Sequence, residues 1–122
     1  SIEVIVEGLL SLKLLKGSKE EVIDKGLYSK FYMHRIGHWL GMDVHDVGSY
    51  KQDGDWRALE KGMVMTVEPG IYILNSLEDV DDKWKGIGVR IEDDILITDT
   101  GFEVLTPNVP RTIDEVEQTV KG

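Results

Sequence analysis

Residues Phe31–Gly48 read FYMHRIGHWLGMDVHDVG and contain all three histidines of the chain, His34, His38 and His45. Imidazole is the commonest metal ligand in proteins and the side chain that titrates nearest to neutral pH. A single histidine is more often a core residue than a ligand. Three histidines in one short segment, followed by acidic strands, favour a metal or catalytic site instead.

Glycine recurs in the same segment, at Gly37, Gly41 and Gly48. Glycine weakens a regular helix and lets the backbone approach another group closely. We therefore expect a bent or tightly packed segment that turns its imidazoles toward one place.

The size and charge of the chain limit the functions it can have. We expect residues 1–122 to form a single domain, because this length suits one small domain and is short for two. The net charge of −9 argues against a nucleic-acid partner, because phosphate binding needs clustered Lys and Arg. No apolar run approaches the roughly 20 residues of a membrane span, and no signal peptide is visible. With cysteine absent as well, we expect a cytoplasmic protein with no membrane partner.

Helices are predicted at both ends of the chain. Apolar residues repeat at helical spacing through Ile2–Leu15, with Ser1 as the N-cap, and they cover more than one face. Two interpretations stay open, a central core helix and a helix that has lost a covering layer. Two shorter helices are predicted from capping boxes, formed by Ser18 with Glu21 and by Thr112 with Glu115.

Strands are predicted in the second half of the chain. Met63–Glu68 alternates so that Val64, Thr66 and Glu68 share one face, and Ile71–Leu74 continues after Pro69-Gly70. Two further strands, Ile87–Thr98 and Phe102–Leu105, should form a hairpin around Asp99-Thr100-Gly101.

The first arm of this hairpin carries charge on one side. Within Ile87–Thr98, Arg90 and Glu92 should share a face. On their own, they would be interpreted as an ion pair at a sheet edge, which contributes little stability.

Three motifs occur in order between Phe31 and Thr106. They are HRIGHWLG at 34–41 followed by DVHD at 43–46, GMVMTVEPG at 62–70, and GVRIEDD at 88–94. Together they resemble the motifs of Xaa-Pro aminopeptidases (aminopeptidase P) and the related prolidases. The resemblance implies an α+β fold, the C-terminal half of a pita-bread metallopeptidase domain, with an antiparallel sheet and helices packed on one side.

The resemblance also implies the residues of the active site. His38, Glu68 and Glu92 match metal ligands of a dinuclear centre, and His34 and His45 match substrate-positioning and proton-handling groups. Arg90 matches a residue that orients the carboxylates, and Glu68 is placed to take a proton from a metal-bridging hydroxide that attacks the peptide. The implied substrate is a peptide with proline at its second position.

The resemblance further implies two divalent metal ions. Oxygen-rich ligation with one histidine favours Mn²⁺, and Co²⁺ or Zn²⁺ could substitute. The family's centre also uses two aspartates and a further histidine from the preceding half of the domain, to which no segment here corresponds. We therefore expect three of the family's five metal ligands, an inactive isolated chain, weak metal binding and self-association.

Two alternatives remain from the sequence. The parent protein could be a prolidase, which cleaves Xaa-Pro dipeptides, or a non-catalytic peptide-binding or assembly module. The presence of all three ligand positions favours an active parent enzyme over such a module.

Overall fold

The computed structural model describes residues 1–122 and divides the chain into two units. Unit 1 comprises Ser1–Ile36 and Pro69–Arg90, and unit 2 comprises Gly37–Glu68 and Ile91–Gly122. The chain therefore passes from one unit to the other after Ile36, after Glu68 and after Arg90. No helix in either unit combines the length and the apolar content that crossing a membrane requires.

Helix α1 of unit 1 spans Ile2–Ser11, so the predicted helix Ile2–Leu15 is too long. Lys13 has a φ of 61°, in the left-handed region, and the helical path therefore ends before it. Ser1 occupies the N-cap position without a side-chain capping bond. Val4 is 72% exposed, so α1 is not buried on all sides.

The core of unit 1 is apolar and joins residues of α1 to residues from two later parts of the chain. Its buried members are Ile5, Leu9, Phe31, Tyr32, Ile73 and Val80. Helix α2, Lys19–Asp24, packs against α1. The Ser18 hydroxyl caps α2 by accepting the Glu21 N–H at 3.1 Å, as predicted. A short 3₁₀ helix, Leu27–Lys30, follows α2.

Strands β4 (Gly70–Tyr72) and β5 (Gly88–Arg90) form an antiparallel pair in unit 1. Gly70 faces Arg90 across the pair, and Tyr72 faces Gly88. Tyr72 lies two residues beyond Gly70, and alternate strand residues share a face, so the side chains of Tyr72 and Arg90 project to the same side. A Cβ at position 88 would lie 3.4 Å from Cδ1 of Tyr72, which is an ordinary van der Waals contact.

Unit 2 contains two antiparallel sheets. The three-stranded sheet has the order β3-β6-β7, with β3 at Val64–Val67, β6 at Asp93–Thr98 and β7 at Gly101–Val104. The predicted β6–β7 hairpin is thereby confirmed. Strands β1 (Lys51–Gln52) and β2 (Asp55–Trp56) make a separate small hairpin.

The prediction of one continuous strand over Ile87–Thr98 is wrong. The chain forms β5, paired with β4, and then β6, paired with β3, and Ile91 and Glu92 lie between the two strands. The backbone changes its hydrogen-bonding partner at these two residues. The strand argument that placed Arg90 and Glu92 on one face therefore does not hold.

Helix α3 closes the chain at Ile113–Lys121. Its capping box is formed as predicted, because Thr112 and Glu115 exchange side-chain and backbone hydrogen bonds. The Glu115 carboxylate accepts hydrogen bonds from the backbone N–H groups of Thr112 and Arg111, and these bonds lower the pKa of the carboxyl. The Arg111 Nε also donates to both carboxylate oxygens of Asp93, at 3.0 and 2.7 Å, which anchors the start of α3 to the start of β6.

Candidate metal centre

Three side chains of unit 2 converge at one end of the β3–β6 ladder. One ligand atom from each of His38, Glu68 and Glu92 lies within 4.8 Å of the other two. Val67 faces Asp93 in the last pair of the ladder, and Glu68 and Glu92 are the next residues beyond that pair. Two carboxylates held close together repel each other, and a cation between them would relieve that repulsion.

The segment that carries His38 lies directly alongside β3. The His38 carbonyl accepts the Thr66 N–H at 2.9 Å, and the Leu40 N–H donates to the Val64 carbonyl at 3.1 Å. Gly37 permits this approach, because a Cβ at position 37 would lie only 1.8 Å from the Thr66 carbonyl oxygen. The close backbone contact predicted from the glycines is thus present at Gly37.

The His38 ring is oriented by its own neighbour in the chain. Nδ1 lies 3.0 Å from the carbonyl oxygen of Trp39, and a carbonyl only accepts, so Nδ1 carries the hydrogen. Nε2 lies 3.3 Å from Oε1 of Glu68. At this distance Nε2 and the carboxylate oxygen are close enough to act as ligands of a single metal ion.

The donor set fits a divalent metal ion. One imidazole nitrogen and two carboxylates are suitable ligands for a hard or borderline cation, and the Nδ1–carbonyl bond is the usual way in which a ligating histidine is oriented. His38 and Glu68 are both largely shielded, with side chains 16% and 13% exposed. The structure therefore brings together the three predicted ligands, and their metal-binding role stays a prediction.

His45, predicted as a catalytic group, lies beside this cluster. Its ring centroid is 4.1 Å from that of His38, with the two rings tilted by 50°. The loop before it is fixed by Asp46, whose carboxylate accepts the Met42 N–H at 3.3 Å and the Val47 N–H at 2.9 Å.

The other two predicted catalytic residues, His34 and Arg90, lie together in unit 1. Arg90 donates from Nη2 to Nε2 of His34 at 3.2 Å and from Nε to the Tyr72 hydroxyl at 2.7 Å. Nδ1 of His34 donates to the carbonyl of Arg35 at 2.7 Å, so His34 and His38 have the same tautomer, each set by the carbonyl of the next residue.

Sequence reasoning missed two residues that hold these groups. Thr66 was assigned only to a strand face, yet its hydroxyl donates to Oε1 of Glu68 at 3.0 Å. The sequence predicts Tyr72 only as a strand residue, whereas its hydroxyl accepts a hydrogen bond from the Arg90 guanidinium. The spacing of Thr66 and Glu68 on one face could have indicated the first contact, whereas the second depends on the β4–β5 register.

A family comparison identifies the class of protein. Residues 6–99 match the family model described as metallopeptidase family M24, and the chain belongs to that family. It is 53% identical over 116 residues to the Xaa-Pro aminopeptidase of Haemophilus influenzae. The aligned segment covers 95% of this chain and 26% of that protein.

Comparison with solved structures also finds aminopeptidases of this kind. Aminopeptidase PepP from Pseudomonas aeruginosa matches with a TM-score of 0.94 and 57% identity, over 98% of this chain and 27% of that one. Aminopeptidase P from E. coli with the inhibitor Pro-Leu matches with a TM-score of 0.88 and 50% identity, over 96% and 26%.

The predicted resemblance and the α+β fold, as part of a pita-bread structure, are thus confirmed. The chain spans about a quarter of the length of the curated relatives it matches.

Proposed function

We propose that this chain is part of the catalytic domain of an Xaa-Pro aminopeptidase, which hydrolyses the bond between an N-terminal residue and proline. The observation that carries the proposal is the 3.3 Å approach of Nε2 of His38 to Oε1 of Glu68, with Glu92 in the same cluster. The 53% identity to an Xaa-Pro aminopeptidase supports the choice of reaction.

The proposed cofactor is a pair of divalent metal ions in the complete enzyme. His38, Glu68 and Glu92 would supply this chain's share of the ligands. The preference for oxygen ligands favours Mn²⁺, with Co²⁺ or Zn²⁺ as substitutes. Bound divalent ions make water a stronger acid and polarise a peptide carbonyl.

Protein groups would handle the proton and orient the substrate. Glu68 is the proposed proton acceptor, and the Thr66 hydroxyl holds its Oε1 in a defined position. His45, beside His38, and His34, fixed by bonds to Arg35 and Arg90, are the proposed proton-handling and substrate-positioning groups. Arg90 is proposed to orient the carboxylates.

The proposed partner is a peptide with proline at its second position. The binding of Pro-Leu as an inhibitor to the E. coli relative supports a proline-containing ligand. The absence of cysteine supports a cytoplasmic location, which we also propose. We further propose that the isolated chain self-associates through its exposed apolar surface.

The test is peptide hydrolysis by the intact parent protein. We expect cleavage of an Xaa-Pro-Xaa peptide that stops with a chelator and returns with Mn²⁺, and a peptide with Ala in place of Pro is the matched control. Activity that persists in chelator, or that acts only on peptides lacking proline, would contradict the proposal.

Two other outcomes would favour the alternatives. Cleavage restricted to Xaa-Pro dipeptides would identify a prolidase, and binding of the peptide without turnover would identify a non-catalytic module. The 122-residue chain by itself is expected to bind Mn²⁺ weakly and to show no turnover.

A further inference from the structure

We propose that the hydroxyl of Thr66 is a positioning group for the metal centre, which fixes His38 and Glu68 relative to each other. The inference rests on the proposed function, because it concerns the same cluster. Thr66 would not touch the metal or the substrate, and it would act only through the two ligands that it holds.

The burial of Thr66 makes its hydrogen bonds obligatory. The residue is only 2% exposed, so water does not compete for its hydroxyl. A buried hydroxyl without partners costs free energy, and here both kinds of partner are protein groups.

The direction of the hydroxyl hydrogen follows from those two partners. Oγ1 accepts the backbone N–H of His38 at 3.0 Å. The other neighbour, Oε1 of Glu68 at 3.0 Å, is a carboxylate oxygen that can only accept. The single hydroxyl hydrogen must therefore point at Glu68, and the bond is the stronger, charge-assisted kind.

The oxygen that Thr66 holds is the one that faces the histidine. Oε1 of Glu68 receives the hydroxyl hydrogen and lies 3.3 Å from Nε2 of His38. The bond therefore fixes the carboxylate oxygen that lies nearest to the imidazole. Threonine is β-branched, and its restricted χ1 makes this arrangement stiffer than an unbranched side chain would.

The backbone of Thr66 completes the attachment. Its N–H donates to the His38 carbonyl at 2.9 Å, so the N–H and the carbonyl of His38 are both bonded to Thr66. One residue of β3 therefore sets the position of the imidazole through the backbone and of the carboxylate through the side chain. Groups that orient metal ligands in this way commonly contribute 10- to 100-fold to metal affinity.

The test compares Thr66→Val with Thr66→Ser in the 122-residue chain. Valine keeps the shape of threonine and removes the hydroxyl, whereas serine keeps the hydroxyl and removes the methyl group. Mn²⁺ binding is measured by electron paramagnetic resonance, in titrations that extend to millimolar Mn²⁺. We expect Thr66→Val to weaken binding about 10- to 100-fold and Thr66→Ser to stay within about threefold of the wild type.

A core variant separates lost affinity from lost stability. Ile73→Val removes one methyl group from the core of unit 1, which contains none of the three cluster residues, and should lower the urea midpoint without changing Mn²⁺ affinity. Hydrogen exchange of the His38 amide gives a reading that needs no metal. It should be faster in Thr66→Val than in the wild type and slow again in Thr66→Ser.

The possible results distinguish the inference from the proposed function. Wild-type affinity in Thr66→Val, or equal losses in the valine and serine variants, would overturn the positioning role and leave the proposed function standing. A wild-type chain without detectable Mn²⁺ binding, together with unchanged exchange of the His38 amide in Thr66→Val, would overturn this inference, whereas the proposed function is tested separately by the chelator experiment on the intact parent protein.

Discussion

Replacing Gly37 by alanine places a methyl group against the backbone of β3. The added Cβ would lie 1.8 Å from the Thr66 carbonyl oxygen and 2.8 Å from its carbonyl carbon. Real Cβ atoms essentially never come closer than 3.0 Å to another heavy atom. The contact with the Thr66 oxygen would therefore be 1.2 Å shorter than this limit. The obstacle is backbone, so it cannot rotate aside as a long side chain would.

The size of the effect follows from the bonds beside Gly37. The displacement would break or strain the two His38–Thr66 hydrogen bonds, which contribute on the order of 1 kcal/mol each. Overpacking adds about 1–3 kcal/mol, and the reduced freedom of the unfolded chain offsets about 0.4–1 kcal/mol. We therefore expect Gly37→Ala to lower the free energy of unfolding by roughly 2–5 kcal/mol and to weaken Mn²⁺ binding.

The assay is urea unfolding followed by far-UV circular dichroism, with Mn²⁺ titration of the folded variant. Gly8→Ala is the matched control. Gly8 lies inside α1, and its added Cβ would meet no atom within 4 Å. Alanine is the better helix former, so this variant should gain about 0.5–1 kcal/mol. A Gly37→Ala variant within about 0.5 kcal/mol of the wild type, with unchanged Mn²⁺ affinity, would refute the packing argument.

Two further predictions concern α3 and the state of association. Hydrogen bonds from the backbone N–H groups of Thr112 and Arg111 lower the pKa of Glu115 below its ordinary value of 4.5. The ionised carboxylate therefore stabilises α3 fully above about pH 4.5, and this stabilisation is lost as the pH falls through the pKa of the folded state. NMR chemical shifts of α3 should show the first turn of the helix unfolding as the pH falls. This pH dependence should be absent in Glu115→Gln. Identical pH profiles for the wild type and the variant would contradict the role of Glu115. We also expect light scattering to give a mass above one chain, because Val4 on α1 and Leu12 directly after α1 leave apolar surface exposed. A monomer at all concentrations would exclude self-association.

The features predicted correctly from the sequence are those that depend on local pattern. Alternation in Met63–Glu68 placed Thr66 and Glu68 on one face, and their hydrogen bond agrees with it. The hairpin around Asp99-Thr100-Gly101 and the capping box of α3 are encoded within a few residues. The convergence of His38, Glu68 and Glu92 was not local, and it was expected only because the motifs resembled a known family.

The features predicted wrongly depend on contacts made elsewhere in the chain. Nothing between Ile87 and Thr98 interrupts the strand pattern, because no proline occurs there and glycine occurs only at Gly88. The break at Ile91 arises because the partner strand changes, and strand propensity does not report on partners. Similarly, no glycine or proline marks the end of α1, where Lys13 turns left-handed.

The spacing of the three clustered residues along the chain has a consequence for stability. His38, Glu68 and Glu92 are separated by thirty and by twenty-four positions, so a cation held by all three would close two long loops, as a disulfide does. A ligand that binds only the folded chain stabilises it in proportion to the logarithm of its concentration. The melting temperature of such a protein is therefore a function of the free metal concentration around it.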